Sequence, residues 1–212
     1  MKTETILRAA EAVKQAIAAH ESELESLDRA IGDGDHFINM KRGSTTVVDM
    51  REELASLSPD AALNKIAMKL LSTIGGASGP LIASFFMAMA KAEKEQGTDT
   101  PQKMATAFAA GVEAIKQRGK SDVGEKTMLD VLIPVSQKFS ELTSQNSEPR
   151  FIYIALKAEA EKGMLATKDM IATKGRASFL GDRAKGHIDP GAKSSQVIIN
   201  TICDLASIGE TP

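Results

Sequence analysis

The sequence predicts an all-α protein, an antiparallel up-and-down bundle or barrel of about eight helices. Apolar residues recur at helical spacing along most of the 212 residues, and no alternating β pattern of useful length occurs. Ser58-Pro59 and Thr100-Pro101 each pair a helix-capping residue with proline at the first helical position. No linker divides the chain, so we expect a single domain spanning residues 1–212.

The first four helices are predicted from apolar stripes and from the breaks between them. The first is one long helix whose stripe runs from Ile6 to Leu27, with His20 packed on it or at its margin rather than serving as a ligand. The second runs from His36 to about Glu53. The third follows Ser58-Pro59 and stops at the glycine-rich stretch 75–80, and a very apolar fourth continues to about Glu95. The inward positions predicted for the second and third helices are Met40, Val47, Val48, Leu63, Ile66, Leu70 and Ile74.

The last four helices follow in the same way. The fifth begins at Pro101 and ends at Arg118-Gly119, and the sixth restarts near Lys126 with Pro134 as a predicted kink. The seventh runs from about Pro149 to about Thr173. A long polar loop over residues 174–192 then precedes the eighth. The apolar positions of these helices include Met104, Phe108, Val112, Ile115, Val131, Leu132, Val135, Phe139, Val197, Ile198, Ile202 and Leu205.

An acidic turn between the first two predicted helices is the clearest functional signal. Asp28, Asp33 and Asp35 fall within eight residues, and Gly32 and Gly34 flank the middle carboxylate. Such crowded carboxylates repel one another unless a cation lies among them, and oxygen ligands alone indicate Mg²⁺, Ca²⁺ or Mn²⁺. The alternative is a solvated acidic turn that caps a helix. An EF-hand is excluded, because the twelfth position counted from Asp33 is Ser44 instead of glutamate.

Three further loops carry suggestive chemistry, and helix order places them together. In an up-and-down arrangement alternate loops lie at the same end, so the acidic turn shares a rim with G-G-A-S-G-P (75–80), R-G-K-S-D-V-G-E-K-T (118–127) and the loop 174–192. The connections around Ser56, Gly97 and Ser144 carry no such chemistry and would lie at the other end. The glycine-rich turn can cradle an anion at a helix N-terminus, although a plain helix–helix turn is the alternative. Neither it nor the 118–127 segment is a Walker A loop.

The last loop is basic, and it completes a set of features typical of a Mg-nucleotide site. An arginine there can brace phosphate oxygens with its planar fork, although solvation explains most such clusters and at least half of these cations are expected to be inert. Mg²⁺ typically takes few carboxylates and completes its shell with phosphate oxygens and water. The basic residues are Lys174, Arg176, Arg183 and Lys185, followed by His187.

Composition excludes several other classes of function. The net charge is −2, and the chain has no Trp and one Tyr, so neither a nucleic-acid surface nor a base-stacking platform is expected. The single cysteine, Cys203, excludes an internal disulfide and is expected in the core. The N-terminus lacks a signal-peptide core, and the apolar stretch 80–90 is too short to span a bilayer. We therefore expect a cytoplasmic protein without a membrane partner.

Four motifs together point to a known family. In chain order they are L-D-R-A-I-G-D-G-D-H, G-G-A-S-G-P, R-G-K-S-D-V-G-E-K-T-M-L-D-V and K-G-R-A-S-F-L-G-D-R-A-K-G-H-I-D-P-G-A. They span residues 27–192 and resemble the L, or nucleotide-binding, subunit of dihydroxyacetone kinases. The resemblance implies an eight-helix barrel with the nucleotide at one end.

The resemblance also implies roles for individual residues. Asp28, Asp33 and Asp35 would hold two Mg²⁺ ions between the phosphates, and Arg176 would brace phosphate and stabilise charge during transfer. These four are the implied catalytic residues. Those implied to bind the nucleotide, ADP or ATP, are His36, Asn39, Ala77, Ser78, Gly119, Met128, Arg176, Asp189, Pro190 and Gly191.

The implied activity is phosphoryl transfer to dihydroxyacetone held on a separate K subunit. Either ADP stays bound and is rephosphorylated by a phosphotransferase-system subunit, which a free-standing L subunit favours, or ATP is an ordinary substrate. Alternatives are an ATP-dependent kinase subunit for another short sugar such as a tetrulose, a nucleotide-loaded module that regulates a transcription factor, and an α-bundle whose loops have no catalytic role. Besides these complexes with other proteins, two copies of the chain could form a homodimer.

Overall fold

Ten α-helices and two 3₁₀ segments form the regular structure of residues 1–208, which are the residues that the computed structural model describes. No strand occurs among them, so the all-α class is confirmed. The expected domain boundary at residue 212 lies outside the described residues. The helices are α1 (Thr3–Ala19), α2 (Glu21–Ile31), α3 (His36–Asp49), α4 (Arg51–Ala55), α5 (Pro59–Thr73), α6 (Ser78–Gln96), α7 (Pro101–Gly119), α8 (Leu129–Ser144), α9 (Pro149–Ala166) and α10 (Pro190–Ile208), with 3₁₀ segments at Thr167–Asp169 and Arg176–Ala184.

Two of the predicted helices are each divided by a break. The first was expected to be continuous, but His20 leaves the helical region with φ −103° and ψ 17°, and its Nδ1 lies 2.8 Å from the Ala16 carbonyl oxygen. The bend lets α2 contact α3, α10 and the longer 3₁₀ segment. The second predicted helix breaks at Met50, which separates α3 from the short α4. Counted with their continuations, the eight expected elements remain.

The largest departures from the predicted boundaries surround the basic loop. The seventh helix, expected to reach Thr173, ends as α9 at Ala166, because the Thr167 carbonyl oxygen accepts from Lys126 Nζ and from Met170 N–H in a 3₁₀ turn. The sixth begins at Leu129 rather than near Lys126, whose φ is +60°. The expected 174–192 loop contains the longer 3₁₀ segment, and α10 already begins at Pro190. Pro134 lies inside α8, and a kink there stays a prediction.

The two cap-plus-proline signals mark helix starts, but only one side chain caps. Pro59 and Pro101 both occupy the beginning of their helices, as predicted. Thr100 Oγ1 accepts the Lys103 N–H at 3.3 Å. The Ser58 hydroxyl instead donates to Asp60 Oδ1 at 2.6 Å, so its predicted capping hydrogen bond is wrong. Proline alone, with its fixed φ, therefore marks the start of α5.

Helix contacts form a closed circuit. From α5 to α10 each helix contacts the next, α10 contacts α1, α1 contacts α3, and α3 contacts α5. One apolar cluster joins α1 and α3–α7, and a second joins α7–α10 and includes Cys203. Phe85 packs against both, with its ring edge-on to Phe86 and Phe108. None of the helices within residues 1–208 has the length and apolar character that a membrane span requires.

Hydrogen bonds anchor the connections that carry no suggestive chemistry to neighbouring helix starts. Thr3 Oγ1 donates to the Leu57 carbonyl oxygen at 2.8 Å. Gln102 Nε2 donates to Asn146 Oδ1 at 3.0 Å, which joins the first turn of α7 to the loop before α9. These contacts agree with the expected alternation of loops. The acidic turn and the loops 75–80, 118–127 and 174–192 are then expected at the opposite end.

Candidate active site

The three aspartates of the acidic turn come together in space. One carboxylate oxygen from each of Asp28, Asp33 and Asp35 lies within 4.8 Å of the others. Asp28 is buried in the last turns of α2, whereas Asp33 and Asp35 are exposed. A set of three carboxylate oxygens is the donor chemistry that Mg²⁺ prefers, so these residues fit the predicted metal.

Backbone geometry fixes the Asp28 carboxylate at the base of this cluster. Asp28 Oδ2 accepts the His36 N–H at 2.9 Å, at the start of α3. A Cβ added at Gly32 would lie 1.8 Å from Asp28 Oδ1, so only glycine leaves room for this carboxylate. Because Gly32 has φ −118°, close approach rather than an unusual φ explains the glycine.

The carboxylates of the cluster repel one another, and one cation contacts them. Desolvation, followed by the adjacent Asp33 carboxylate, raises the pKa of Asp35 above its usual value. Arg176 Nε lies 2.7 Å from Asp33 Oδ2. The basic loop therefore contacts the acidic turn, although the two are far apart in the sequence. Both side chains of this pair are largely solvated, so its contribution to stability is small. Its significance is that it places Arg176 at the predicted metal site.

His36 connects the start of α3 with the start of α10. Its Nε2 lies 3.0 Å from Ser194 Oγ, and that hydroxyl donates to the Gly191 carbonyl oxygen at 3.1 Å. The imidazole ring and the serine hydroxyl therefore join the two helix starts. Desolvation lowers the pKa of His36, against the opposing influence of Asp28 and Asp35. A neutral ring is therefore favoured.

Asn39 joins α3 to the glycine-rich turn. It is buried, and its Oδ1 accepts the Gly75 N–H at 3.3 Å. In that turn Gly76 has φ +64°, and a Cβ at Gly79 would lie 2.4 Å from the Ile74 carbonyl oxygen. The α6 helix begins at Ser78, so Ala77 and Ser78 occupy the helix N-terminus that was predicted to bind phosphate.

The loop between α7 and α8 borders the same end. A Cβ at Gly119 would lie 3.3 Å from Leu81 Cδ2 in the first turn of α6, and a Cβ at Gly191 would lie 3.6 Å from Met128 Cβ. An open depression of about 430 Å³ lies beside Gly119, lined by residues 116, 117, 120–122 and 125. A second depression, of about 480 Å³, is lined by residues around the α1–α2 bend and contains no predicted site residue.

A buried lysine, not predicted as a site residue, holds this loop in place. Lys126 is 1% exposed, and its Nζ donates to the carbonyl oxygens of Thr167 at 2.5 Å and His187 at 2.6 Å. Thr167 Oγ1 in turn accepts the Asp189 N–H at 3.0 Å. Desolvation lowers the pKa of Lys126, opposed first by Asp189. One side chain thus ties the 118–127 loop to the end of α9 and to the segment before α10.

Asp189 forms the cap of α10 in the predicted D-P-G stretch. Its Oδ2 accepts the Ala192 N–H at 2.7 Å. The residue as a whole is partly exposed, but its carboxyl group is enclosed, and desolvation raises its pKa to about 7 despite this hydrogen bond and nearby Lys126. Pro190 is buried beside it. Asp189, Pro190 and Gly191 therefore lie at the predicted rim, between Thr167 and His36.

Every predicted site residue lies on one of these four loops or the adjoining helix turns, and contacts join the loops to one another. The remaining basic residues behave as surface groups: Lys174 Nζ is 3.7 Å from Glu125, and Lys185 Nζ is 2.8 Å from Asp182. Arg183 and His187 are exposed. Residues with structural roles that sequence reasoning missed are Gly32, Lys126, Asp130, Thr167 and Ser194; Asp130 accepts the N–H groups of Gly124 and Thr127.

Comparison with known proteins gives a consistent result. The DAK2 domain matches residues 30–204. The chain is 41% identical over 179 residues to the ADP-binding subunit DhaL of the PEP-dependent dihydroxyacetone kinase of Escherichia coli (strain K12), covering 84% of this chain and 85% of that protein. It is 39% identical over 193 residues to the ADP-binding subunit DhaL of the PTS-dependent enzyme of Lactococcus lactis, covering 91% and 92% of the two chains.

Solved structures share the fold. The dihydroxyacetone kinase of C. freundii in complex with AMP-PNP and Mg²⁺ superposes with a TM-score of 0.71 at 24% identity, over 94% of this chain and 33% of that chain. The chain therefore spans about a third of that longer protein. Because the domain match and the two relatives each cover most of the sequence, we conclude that the chain belongs to the DAK2 domain family.

Proposed function

We propose that this chain is the ADP-binding subunit of a dihydroxyacetone kinase and forms a single nucleotide-binding domain. The observation that carries the proposal is that contacts join four loops, distant in sequence, at the end of the protein where three carboxylates and one arginine meet. Family membership and the names of the two bacterial relatives support the same activity.

The reaction is phosphoryl transfer from the bound nucleotide to an alcohol. The acceptor hydroxyl oxygen forms a bond to the terminal phosphorus, and the bond from that phosphorus to the bridging oxygen breaks. The hydroxyl proton passes to a base on the separate subunit that holds dihydroxyacetone. No covalent work falls to this chain, so its role is positioning and electrostatic stabilisation.

Asp28, Asp33 and Asp35 would hold the metal, for which we propose two Mg²⁺ ions. Bound Mg²⁺ supplies positive charge that neutralises and clamps the phosphate oxygens. Asp28 is the pre-positioned ligand, because one of its oxygens already accepts a backbone N–H and the absence of a side chain at Gly32 leaves room for the other. Arg176, at 2.7 Å from Asp33, is placed to stabilise charge on the transferred group.

The other rim residues would hold the nucleotide. Ala77 and Ser78 would present the N-terminus of α6 to the phosphates, and His36 and Asn39 would line the nucleotide site, with Asn39 next to the glycine-rich turn. Gly119 and Met128 would border the adenine, where the flexible, polarisable methionine side chain offers an apolar contact to the flat base. Asp189, Pro190 and Gly191 would close the pocket beside Met128.

For the phosphate source, we propose that ADP remains bound as a cofactor and is rephosphorylated by a phosphotransferase-system subunit. Two bacterial relatives, each covered over more than four fifths of its length, carry PEP-dependent or PTS-dependent in their names. The alternative donor is exchangeable ATP.

Two experiments test the proposal. Heat denaturation of the purified protein followed by chromatography of the supernatant should release stoichiometric ADP, and an empty protein would contradict the bound-cofactor mechanism. Incubation with a K subunit, the phosphotransferase donor and dihydroxyacetone should yield sugar phosphate. Absence of product with dihydroxyacetone or any other short ketose, with either the donor or ATP, would refute the kinase assignment.

A further inference from the structure

Phe179 is the most exposed large hydrophobic residue among residues 1–208, with 82% of its surface accessible. It lies in the 3₁₀ segment Arg176–Ala184. The other face of this segment is anchored, since Ala177 and Ala184 are buried with Ile31 and Leu180 packs against them. The anchored segment therefore presents an aromatic ring to solvent, and aromatic side chains are among those that contribute most to binding when a partner covers them.

The position of Phe179 relative to the transfer site follows from 3₁₀ geometry. A 3₁₀ helix has about three residues per turn, so side chains at i and i+3 lie on the same edge. Arg176 and Phe179 are such a pair, and the Ser178 N–H bond to the Gly175 carbonyl oxygen at 3.4 Å belongs to the same turn. Arg176 reaches Asp33 at 2.7 Å. The exposed ring therefore lies one 3₁₀ turn from the arginine that contacts the acidic cluster.

The 3₁₀ segment that carries the ring is itself net basic, and one of its cations, Arg176, is paired with Asp33 of the acidic turn. Arg176 and Arg183 are exposed, and Lys185 is paired with Asp182 at 2.8 Å. Over residues 176–185 three cations face one carboxylate, so the segment is net basic. Apolar contact with a basic surround fits a partner surface that has an apolar socket with an acidic edge.

We propose that Phe179 is the docking contact through which this chain binds the subunit that carries the phosphoryl acceptor. This inference rests on the proposed function. Transfer requires the acceptor hydroxyl within bonding reach of the terminal phosphate, so the protein that holds the acceptor must cover the rim at Asp33 and Arg176. A ring one 3₁₀ turn from Arg176 is covered by the same protein, and its burial fixes the two subunits in register.

The test compares Phe179→Ala with Phe151→Ala. Phe151 is 57% exposed in the first turn of α9, at the end of that helix away from Thr167, so it controls for loss of an exposed phenylalanine. The probe is a dihydroxyacetone-binding K subunit that supports transfer with the unsubstituted chain. Calorimetry measures affinity for this subunit and for Mg-ADP, and a coupled assay measures kcat and the KM for the K subunit.

We expect Phe179→Ala to weaken binding of the K subunit by about tenfold or more, since exposed aromatic anchors dominate interface energies. The KM for the K subunit should rise by a similar factor, with kcat at saturating K subunit and Mg-ADP affinity within about twofold of the unsubstituted chain. Phe151→Ala should match the unsubstituted chain in each measurement. Affinity for the K subunit should also fall as NaCl rises, because of the basic surround.

Three results would overturn the inference. Unchanged K-subunit affinity in Phe179→Ala, with normal binding by the unsubstituted chain, would refute Phe179 as the contact while leaving the proposed function intact. Impaired rephosphorylation by the phosphotransferase donor without any effect on the K subunit would assign the ring to the donor. Failure of the unsubstituted chain to bind or phosphorylate through any K subunit would refute the proposed function itself, and the inference with it.

Discussion

Lys126→Met tests whether one buried ammonium group holds two walls of the site together. The substitution keeps an unbranched side chain of similar length but removes the donor of two hydrogen bonds, to the carbonyl oxygens of Thr167 and His187. Because the residue is 1% exposed, water has little access to replace the lost donor. The carbonyl groups are then left without this partner.

The size of the effect follows from three contributions. Each hydrogen bond from a charged donor is worth about 1.5–3 kcal/mol, and leaving a buried carbonyl unpaired costs a comparable amount. Removal of the ammonium group also recovers its desolvation penalty, which acts in the opposite direction. We expect a net loss of about 2–4 kcal/mol in the free energy of unfolding. For a chain of this size that lowers Tm by roughly 5–15 °C.

Calorimetric unfolding measures this change, and Lys120→Met is the matched control. Lys120 belongs to the same loop and also has a left-handed backbone, with φ +48° against +60° for Lys126, but its side chain is exposed. The control should unfold within about 1 °C of the unsubstituted protein, since surface changes away from special features have small effects. Equal Tm values for the two variants would show that the Lys126 network does not stabilise the loop.

Three further predictions concern the rim itself. Arg176→Ala should lower kcat by about a hundredfold or more while changing the Kd for Mg-ADP only a few-fold, with Arg183→Ala as control; equal losses in both quantities would make Arg176 a simple anchor. Gly32→Ala should weaken Mg²⁺-dependent ADP binding by about tenfold or more with an unchanged helical circular dichroism spectrum, because the new Cβ displaces a carboxylate oxygen 1.8 Å away; normal Mg²⁺ dependence in a titration would contradict the role given to Asp28. Asp189 has a pKa raised to about 7 in the folded state, so its contribution to stability is present below about pH 4 and is lost as the pH rises through 7. Urea unfolding of Asp189→Asn should therefore show a smaller fall in stability between pH 4 and 8 than the unsubstituted protein, and identical slopes would refute the raised pKa.

The helices were largely predictable, because their signals are local. The stripes behind α5 to α8, and the prolines at residues 59 and 101, depend only on spacing within one element. The bend at His20 was not predictable in this way, since helix-favouring residues flank it on both sides. Its cause lies in the contacts that α2 makes with α3, α10 and the longer 3₁₀ segment after the bend.

The premature end of α9 has the same kind of explanation. Periodic apolar residues continue to Ile171, so local spacing favours a helix to Thr173. In the structure the Thr167 carbonyl oxygen is engaged by Lys126, a residue 41 positions earlier, and the chain leaves the helix. A lysine in a polar loop carries no sign of burial, because its partners are backbone carbonyl groups rather than side chains that a motif would reveal.

The meeting of the four loops at one rim was predictable from helix order, but the contacts between individual side chains were not. Alternation of loops placed the acidic turn with the basic loop, and the Arg176–Asp33 contact at 2.7 Å agrees with that placement. Two details depend on side-chain orientation at turns, which the spacing of apolar residues does not indicate. They are the hydrogen bond between His36 and Ser194 at 3.0 Å and the close approach of Gly32 to the Asp28 carboxylate. The roles assigned to the individual site residues stay predictions.

Paramagnetic relaxation by Mn²⁺ in the presence of ADP tests the central claim most directly, because it reports which amides lie near the metal. The account predicts that the amide signals of Gly34, Ser78 and Arg176 broaden together, and that those around Ser56, Gly97 and Ser144 stay sharp. Asp33→Asn should abolish the broadening while the helical circular dichroism persists. Sharp Ser78 and Arg176 signals in a sample whose acidic turn is broadened would contradict a single metal-held diphosphate at this rim.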